Sequence, residues 1–385
     1  MTVKSVLTSA DSRLPIGAKR IFSPDPNIYR QWYNPGMVDP ISLSQLIDAQ
    51  GWSFHGIVDF ESAQSSLDGH RSVFDSWVKK GFHADMDYLP SMAKDRYMPV
   101  RKLPEAKSAL ILAAWYGYEQ NNCSISLGKV ARYAGGRDYH KILKKKLIQL
   151  SEWLKSQDPT AETYVSVDSG PLADRALAEA AGLGFFGKNA SLIHPSKGSY
   201  FFIASLLTTL DLGTTPKMTM PNCGDCLRCQ TACPTGALKG GGVVDSNLCI
   251  AYLTIENKGP IPIGLRPKIG NRLFGCDICQ EVCPFNVGRA KSQTVRIPEL
   301  KSGAGVGESL DLVEILSFRN DEAFLKRFAG TPLMRAKRFG LVRNACVVAG
   351  NSRDRTLIPI LRQLIESESD GILKEHAEWA LSQLS

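Results

Sequence analysis

Eight of the chain's ten cysteines fall between residues 223 and 283, so whatever this segment folds into must be built around their sulfur atoms. The first run reads Cys223-x2-Cys226-x2-Cys229-x3-Cys233-Pro234, the second Cys276-x2-Cys279-x3-Cys283-Pro284, with Cys249 standing alone between them. Two 4Fe-4S clusters take eight thiolates, and in the two-cluster pattern the last cysteine of each run ligates the other cluster. Cys223, Cys226, Cys229 and Cys283 are therefore assigned to one cluster, and Cys233, Cys249, Cys276 and Cys279 to the other. Tetrahedral zinc also accepts Cys-x2-Cys pairs, but zinc accounts for neither the x2-x2-x3 rhythm nor the two Cys-Pro endings. Cys123, in a polar loop, and Cys346, on the apolar face of a helix, read as unligated.

The remaining composition is that of an ordinary folded protein, with 43% apolar and 22% charged residues over 385 positions. The first twenty residues form no apolar core segment of a signal peptide, and no run approaches membrane-spanning length. Clustered thiolates without an export signal point to a reducing compartment, which places the chain in the cytoplasm with no membrane partner. The net charge is +8. Lys141, Lys144, Lys145 and Lys146 crowd one helical stretch, and Arg335, Lys337, Arg338 and Arg343 lie in a stretch without acidic residues. Either cluster alone suits a solvated helix face; two of them flanking a redox segment favour a nucleic acid.

Residues 1 to about 40 carry five prolines and little periodicity and read as an extension. Helical periodicity starts at Ser42. Strands are predicted at 54–58, 108–116 and 163–167, a buried strand within 199–210, and helices at 139–154 and 172–181. Beyond about residue 300 the pattern is helical only, and Gly340-Leu341-Val342-Arg343-Asn344 is echoed by Gly371-Ile372-Leu373-Lys374-Glu375, a two-copy helical repeat. The glycines of Gly182-Leu183-Gly184-Phe185-Phe186-Gly187 close an Ala-rich helix instead of following a strand, so this is not a dinucleotide loop.

Several blocks together resemble the epoxyqueuosine reductase family. They are His83-x2-Met86-x-Tyr88-Leu89, Arg132-Tyr133, Gly136-Arg137-Asp138-Tyr139-His140, Val167-Asp168-Ser169-Gly170-Pro171, Ala181 to Asn189, Gly270 to Cys276, and Pro332-Leu333-Met334-Arg335. The blocks run in the family's order and cover about residues 42–385. The departures are the N-terminal extension and Gly135, where related chains carry a larger side chain.

The resemblance implies an α+β multidomain fold: an extension over 1–41, a nitroreductase-like cobalamin-binding domain over 42–215, a ferredoxin-like dicluster domain over 216–295, and C-terminal HEAT-like α-helical repeats over 296–385 that bind tRNA. It implies reduction of epoxyqueuosine to queuosine at the wobble position of tRNA, with two 4Fe-4S clusters and base-off cobalamin as cofactors. An unidentified low-potential electron donor and a monomeric state are also implied. Asp168 is then the expected general acid, its pKa raised by burial against the corrin; an Asx-turn or capping role is the structural alternative. Arg132, Tyr133, Asp168, Gly184, Gly187, Lys188 and Asn189 are expected around the cobalamin. Arg335, Arg338, Arg343 and Lys145 are expected on tRNA phosphates. His83, His140 and His194 read as fold elements outside the chemistry. A reductive dehalogenase and a dicluster electron carrier are the rival readings. No twin-arginine export signal opens the chain, as dehalogenases usually require, and a carrier does not need the layered domain ahead of the clusters.

Overall fold

The computed structural model describes residues 38–120, 124–216, 219–288 and 293–385. Residues 1–37 of the extension, and Cys123, lie outside them. A four-stranded antiparallel sheet forms the first layer, in the order Phe54–Asp59, Ser108–Trp115, Phe201–Thr208, Thr163–Ser166. Every residue of Ser108–Trp115 is buried, because helices cover the sheet and leave this central strand no solvated face. The helix Tyr139–Gln157 packs on Phe201–Thr208 and Thr163–Ser166, burying Leu143, Leu147, Leu150 and Leu154 at helical spacing. Asp138 caps it by accepting from His140 N–H. Antiparallel strands covered by helices make this an α+β arrangement.

A second sheet takes one strand from each of the three segments predicted as domains. Leu127–Val130 lies between Arg272–Phe274, parallel to it, and Ser309–Asp311, antiparallel. The purely helical expectation beyond residue 300 is thereby corrected at Ser309–Asp311. Three strands of three or four residues carry no sequence period, and pairing across the chain forms them. The sheet stitches the layered domain to the cysteine-rich segment and to the C-terminal helices, whose shared core includes Val130, Ala134, Leu273, Phe274 and the apolar faces of Lys337–Ser352 and Gly371–Leu384. Those two helices approach closely at Gly350, where a Cβ would meet the Trp379 ring at 2.6 Å.

Arg343 requires a second correction. It is not a phosphate contact, because it is 0% exposed. Its guanidinium donates to the carbonyls of Asn257 (2.7 Å), Gly259 (2.6 Å) and Leu253 (2.7 Å), and to Asn344 Oδ1. It closes the end of the helix Ile250–Ile255 and ties it to the C-terminal core. Replacing Arg343 by Met leaves three carbonyls without their donor, one buried and two half-buried, so a loss of about 2–4 kcal/mol in unfolding free energy is expected. Urea titration of the holoprotein measures it, and a loss below about 1 kcal/mol would contradict the structural role.

Candidate functional site

Asp168 lies just past the strand Thr163–Ser166 with φ of +54°. Ser169 N–H donates to Val167 O at 2.5 Å, which closes a three-residue turn on Asp168. A non-glycine residue in this region costs roughly 1–3 kcal/mol, a strain that surrounding structure must hold. What the strain achieves is direction: the carboxylate is lifted towards the start of the helix Tyr139–Gln157. There Tyr139 Oη donates to Asp168 Oδ2 at 2.6 Å, and His140 Nε2 lies 3.4 Å from the same oxygen. The other ring nitrogen of His140 bonds Asp138 Oδ1 at 2.7 Å. The Asp168 side chain remains 66% accessible, although desolvation by the surrounding protein is the largest influence on its titration. A carboxylate both accessible and surrounded sits on the floor of a concavity.

The titration of this group departs from expectation. Burial pushes Asp168 up, but hydrogen bonds from His140 and Tyr139 outweigh it and hold the carboxyl below its ordinary value. His140 moves the other way. Burial pulls it down, and the bonds to Asp138 and Asp168 more than compensate, raising it to about 9. At neutral pH the proton therefore resides on the imidazole and not on Asp168. His140 and Tyr139 are functional candidates that sequence reasoning set aside or passed over. The signal was the Asp138-Tyr139-His140 run itself, whose partner lies 28 residues further along the chain.

Above this floor, Arg335 makes a two-pronged pair with Glu256, 2.8 Å on each arm, and its guanidinium lies 5.6 Å from the Tyr88 ring. Tyr88 is raised by burial and then by Glu256, with Asp168 contributing, so this rim stands within electrostatic reach of the carboxylate. Of the other cations expected on phosphate, Lys145 is exposed on its helix. Arg338 is instead paired with Glu368 at 2.8 Å and donates to Phe318 O; a mostly buried, paired side chain is not free for phosphate.

The expected cobalamin contacts divide. Tyr133 packs against Tyr139 and Phe274, with ring centroids 6.5 and 6.2 Å away, on the same wall as Asp168. Tyr139 stacks on Phe202 at 4.0 Å, and Phe202 on Tyr116 at 4.4 Å, extending an aromatic wall. Near it the hydroxyl of Tyr200 is buried without a hydrogen-bond partner. Clustered aromatic rings beside an orphaned buried hydroxyl suit a large apolar group rimmed by amides, so Tyr133, Tyr139, Phe202 and Tyr200 fit a corrin.

The other expected contacts are corrected by packing. Arg132 is 8% exposed, and its guanidinium bonds Asp277 (3.2 Å) and Glu281 (2.8 Å) through Nη1 and Tyr118 O (3.0 Å) through Nε. At Gly184 and Gly187 the space of a Cβ is filled by Ile193, 2.5 Å from its carbonyl and 2.4 Å from its Cδ1 respectively. These glycines permit the hairpin of Phe185–Phe186 with Leu192–Ile193, not the approach of a cofactor. Lys188 N–H points at Cys223 Sγ (3.4 Å), its Nζ donates to Gly224 O, and Asn189 Nδ2 donates to Cys279 O (3.3 Å). The block braces the cysteine loops. A side chain at Gly135 would meet Tyr118 Oη at 2.8 Å and Gly307 O at 3.0 Å, so the neighbouring loop occupies the volume beside it.

None of the eight clustered cysteines forms a disulfide. Cys283 is raised first by burial and then by Cys223, Cys229 and Cys226; Cys229 likewise by burial and by Cys223 and Cys226. Burial pushes Cys276 up to about 12, with Cys249 adding to it, while Cys279 is raised by burial, Cys276 and Cys249, and Cys249 by burial and Cys233. The fold thus gathers the thiols in two neighbouring groups. Phe274 and Asp277, on either side of Cys276, reach Tyr133 and Arg132, so one group abuts the wall above Asp168.

Residues 222–286 match the family described as a 4Fe-4S double cluster binding domain, and residues 96–169 the one described as epoxyqueuosine reductase QueG, DUF1730. An epoxyqueuosine reductase of Pseudomonas aeruginosa is 37% identical over 357 residues, covering 89% of this chain and 95% of that one. A crystal structure of a selenomethionine-labelled epoxyqueuosine reductase superposes with a TM-score of 0.79 at 29% identity, covering 90% of each chain. An epoxyqueuosine reductase solved with an epoxyqueuosine-modified tRNA-Tyr stem loop gives 0.74 at 26% identity, covering 89% of this chain and 98% of that one.

Proposed function

The chain belongs to the epoxyqueuosine reductase family, and on that premise we propose that it removes the epoxide oxygen of epoxyqueuosine at the wobble position of tRNA, giving queuosine in the last step of that biosynthesis, with electrons delivered through its two 4Fe-4S clusters. The reaction breaks both C–O bonds of the epoxide, forms a C=C bond and releases the oxygen as water, consuming two electrons and two protons. The observation that carries the reading is the Asp168–His140–Tyr139 group on a strained turn, open to solvent and walled towards the double-cluster segment.

Asp168 faces the reacting oxygen in this reading, and His140 holds the proton. As charge builds on the departing oxygen, the imidazolium beside Oδ2 supplies one proton along a short path and solvent the second, while the Tyr139 hydroxyl, kept protonated by burial and by Asp168, holds the carboxylate in place. Cobalamin would lie against Tyr133, Tyr139 and Phe202, with the Tyr200 hydroxyl available for one of its amides, and would supply a low-potential centre able to pass electrons to carbon. His140 is engaged on both ring nitrogens and is not available as a metal ligand, in keeping with a base-off cofactor. The Arg335 rim and Lys145 are read as tRNA contacts, and the C-terminal helices as a HEAT-like pair that presents them; an unstacked wobble base is the form such a concavity admits. We further read the protein as a cytoplasmic monomer. Among the described residues no helix is long and apolar enough to cross a membrane.

The test is anaerobic turnover of reconstituted protein on an anticodon stem-loop carrying epoxyqueuosine, with a chemical reductant, with and without cobalamin. Cobalamin-dependent conversion to queuosine is the expected result; no conversion with clusters loaded and cobalamin bound would redirect the search to halogenated small molecules. The pH profile follows from His140. Because its pKa in the folded protein is raised to about 9, the proton is in place below that value and is lost as pH rises through it. Turnover is expected to fall on the alkaline side with that midpoint, and His140→Gln to abolish the limb. An unchanged profile in the variant would assign the proton elsewhere.

A further inference from the structure

The two thiol groups differ in what surrounds them. Phe274, Asp277 and Ile250, which neighbour Cys276 and Cys249, are buried. Around Cys223 and Cys226 of the other group the chain is open, with Asn222, Gly224, Asp225 and Arg228 exposed, although Cys283 of that group is buried and Cys233 of the first also borders the exposed Pro234. Two large apolar side chains stand out in these open loops. Leu227, directly after Cys226, is 54% exposed, and Val287 is 62% exposed. Val287 N–H donates to the carbonyl of Cys283, so it sits one turn from the ligand that shares a cluster with Cys226. Exposed apolar residues in the ligand loops of a redox group shorten the approach of a partner and exclude water at the contact. Arg228, next to Leu227 in the chain, is exposed, and the Lys188 ammonium is held 2.7 Å from Gly224 O. One exposed carboxylate, Asp225, opposes these two cations, on a chain of net charge +8.

We propose that this Leu227–Val287 face is the docking site of an acidic one-electron carrier protein, which reduces the cluster of Cys223, Cys226, Cys229 and Cys283. The inference rests on the reading of the chain as a reductase fed through its clusters. Each encounter moves one electron from the carrier's reduced flavin or iron-sulfur group to the oxidised cluster and leaves the carrier oxidised by one electron. Two encounters supply the pair that the epoxide consumes. The face is small, as befits a transient electron-transfer contact, so on-rate and charge complementarity govern it.

The experiment is anaerobic stopped-flow bleaching of the clusters in the full-length holoprotein, without tRNA, driven either by a reduced acidic flavodoxin or by dithionite. Omitting tRNA keeps the result independent of whether epoxyqueuosine is the substrate. The Leu227→Glu/Val287→Glu double variant and, separately, the milder Arg228→Gln are compared with Leu325→Glu, an exposed apolar site far along the chain. Flavodoxin-driven bleaching is expected to slow about tenfold or more in the double variant and measurably in Arg228→Gln, with a flatter salt dependence. Dithionite rates should stay within about twofold. Flavodoxin rates equal to wild type in both variants, or an equal loss in Leu325→Glu, would overturn the proposal. So would a concentration-dependent dimer that the double variant abolishes, since a second copy would then own the face. If the double variant fails to load iron, Arg228→Gln and titration of oxidised flavodoxin binding decide the question.

Discussion

Replacing Asp168 by Asn is expected to lower turnover about 10³-fold while leaving cluster and cobalamin absorbance unchanged. Asparagine tolerates the positive φ of this turn better than most residues, so the backbone should hold and the change is confined to the carboxylate. Two consequences separate this from a folding defect. The variant no longer pairs the His140 imidazolium, so His140 should titrate below about 9, a fall that proton NMR of the ring can read. Binding of the modified stem-loop should persist, because the rim of Arg335, Glu256 and Tyr88 is built from other segments. Normal turnover in the variant would mean that the reaction does not need the Asp168 carboxylate to place the His140 proton.

The second large effect tests how the cysteines are shared. Loss of any one ligand is expected to abolish turnover, since both clusters lie on the electron path, so iron content carries the information. The Cys223→Ala/Cys283→Ala pair removes two ligands from one cluster and should leave about four of about eight irons. The Cys276→Ala/Cys283→Ala pair damages both clusters and should leave almost none. If each run instead kept its own last cysteine, the two results would exchange. Measuring the two doubles beside their singles makes the comparison internal.

Much of this site was written in short-range spacing. A thiolate cluster is held by residues two or three apart, and that geometry survives translation into sequence. The Gly-Phe-Phe-Gly-Lys-Asn block was also visible, but its role was not. Whether a glycine admits a cofactor or a neighbouring strand depends on what occupies the Cβ position, and at Gly184 and Gly187 the occupant is Ile193. Arg343 misled for a similar reason. A cation in a basic stretch reads as a surface contact until the carbonyls of residues 253, 257 and 259 close around it.

The sequence by itself determined the double-cluster segment and the family, because each is carried by short motifs whose chemistry does not wait for the fold. Only the tertiary structure decided the proton's place and the wiring between segments. The pairing of Asp168 with His140 and Tyr139 crosses from a strand end to a helix start, and the sheet of Leu127–Val130, Arg272–Phe274 and Ser309–Asp311 draws on three distant stretches. Titration depends on the balance of desolvation against hydrogen bonds within a few ångströms, and such a balance exists only once remote residues have been brought together.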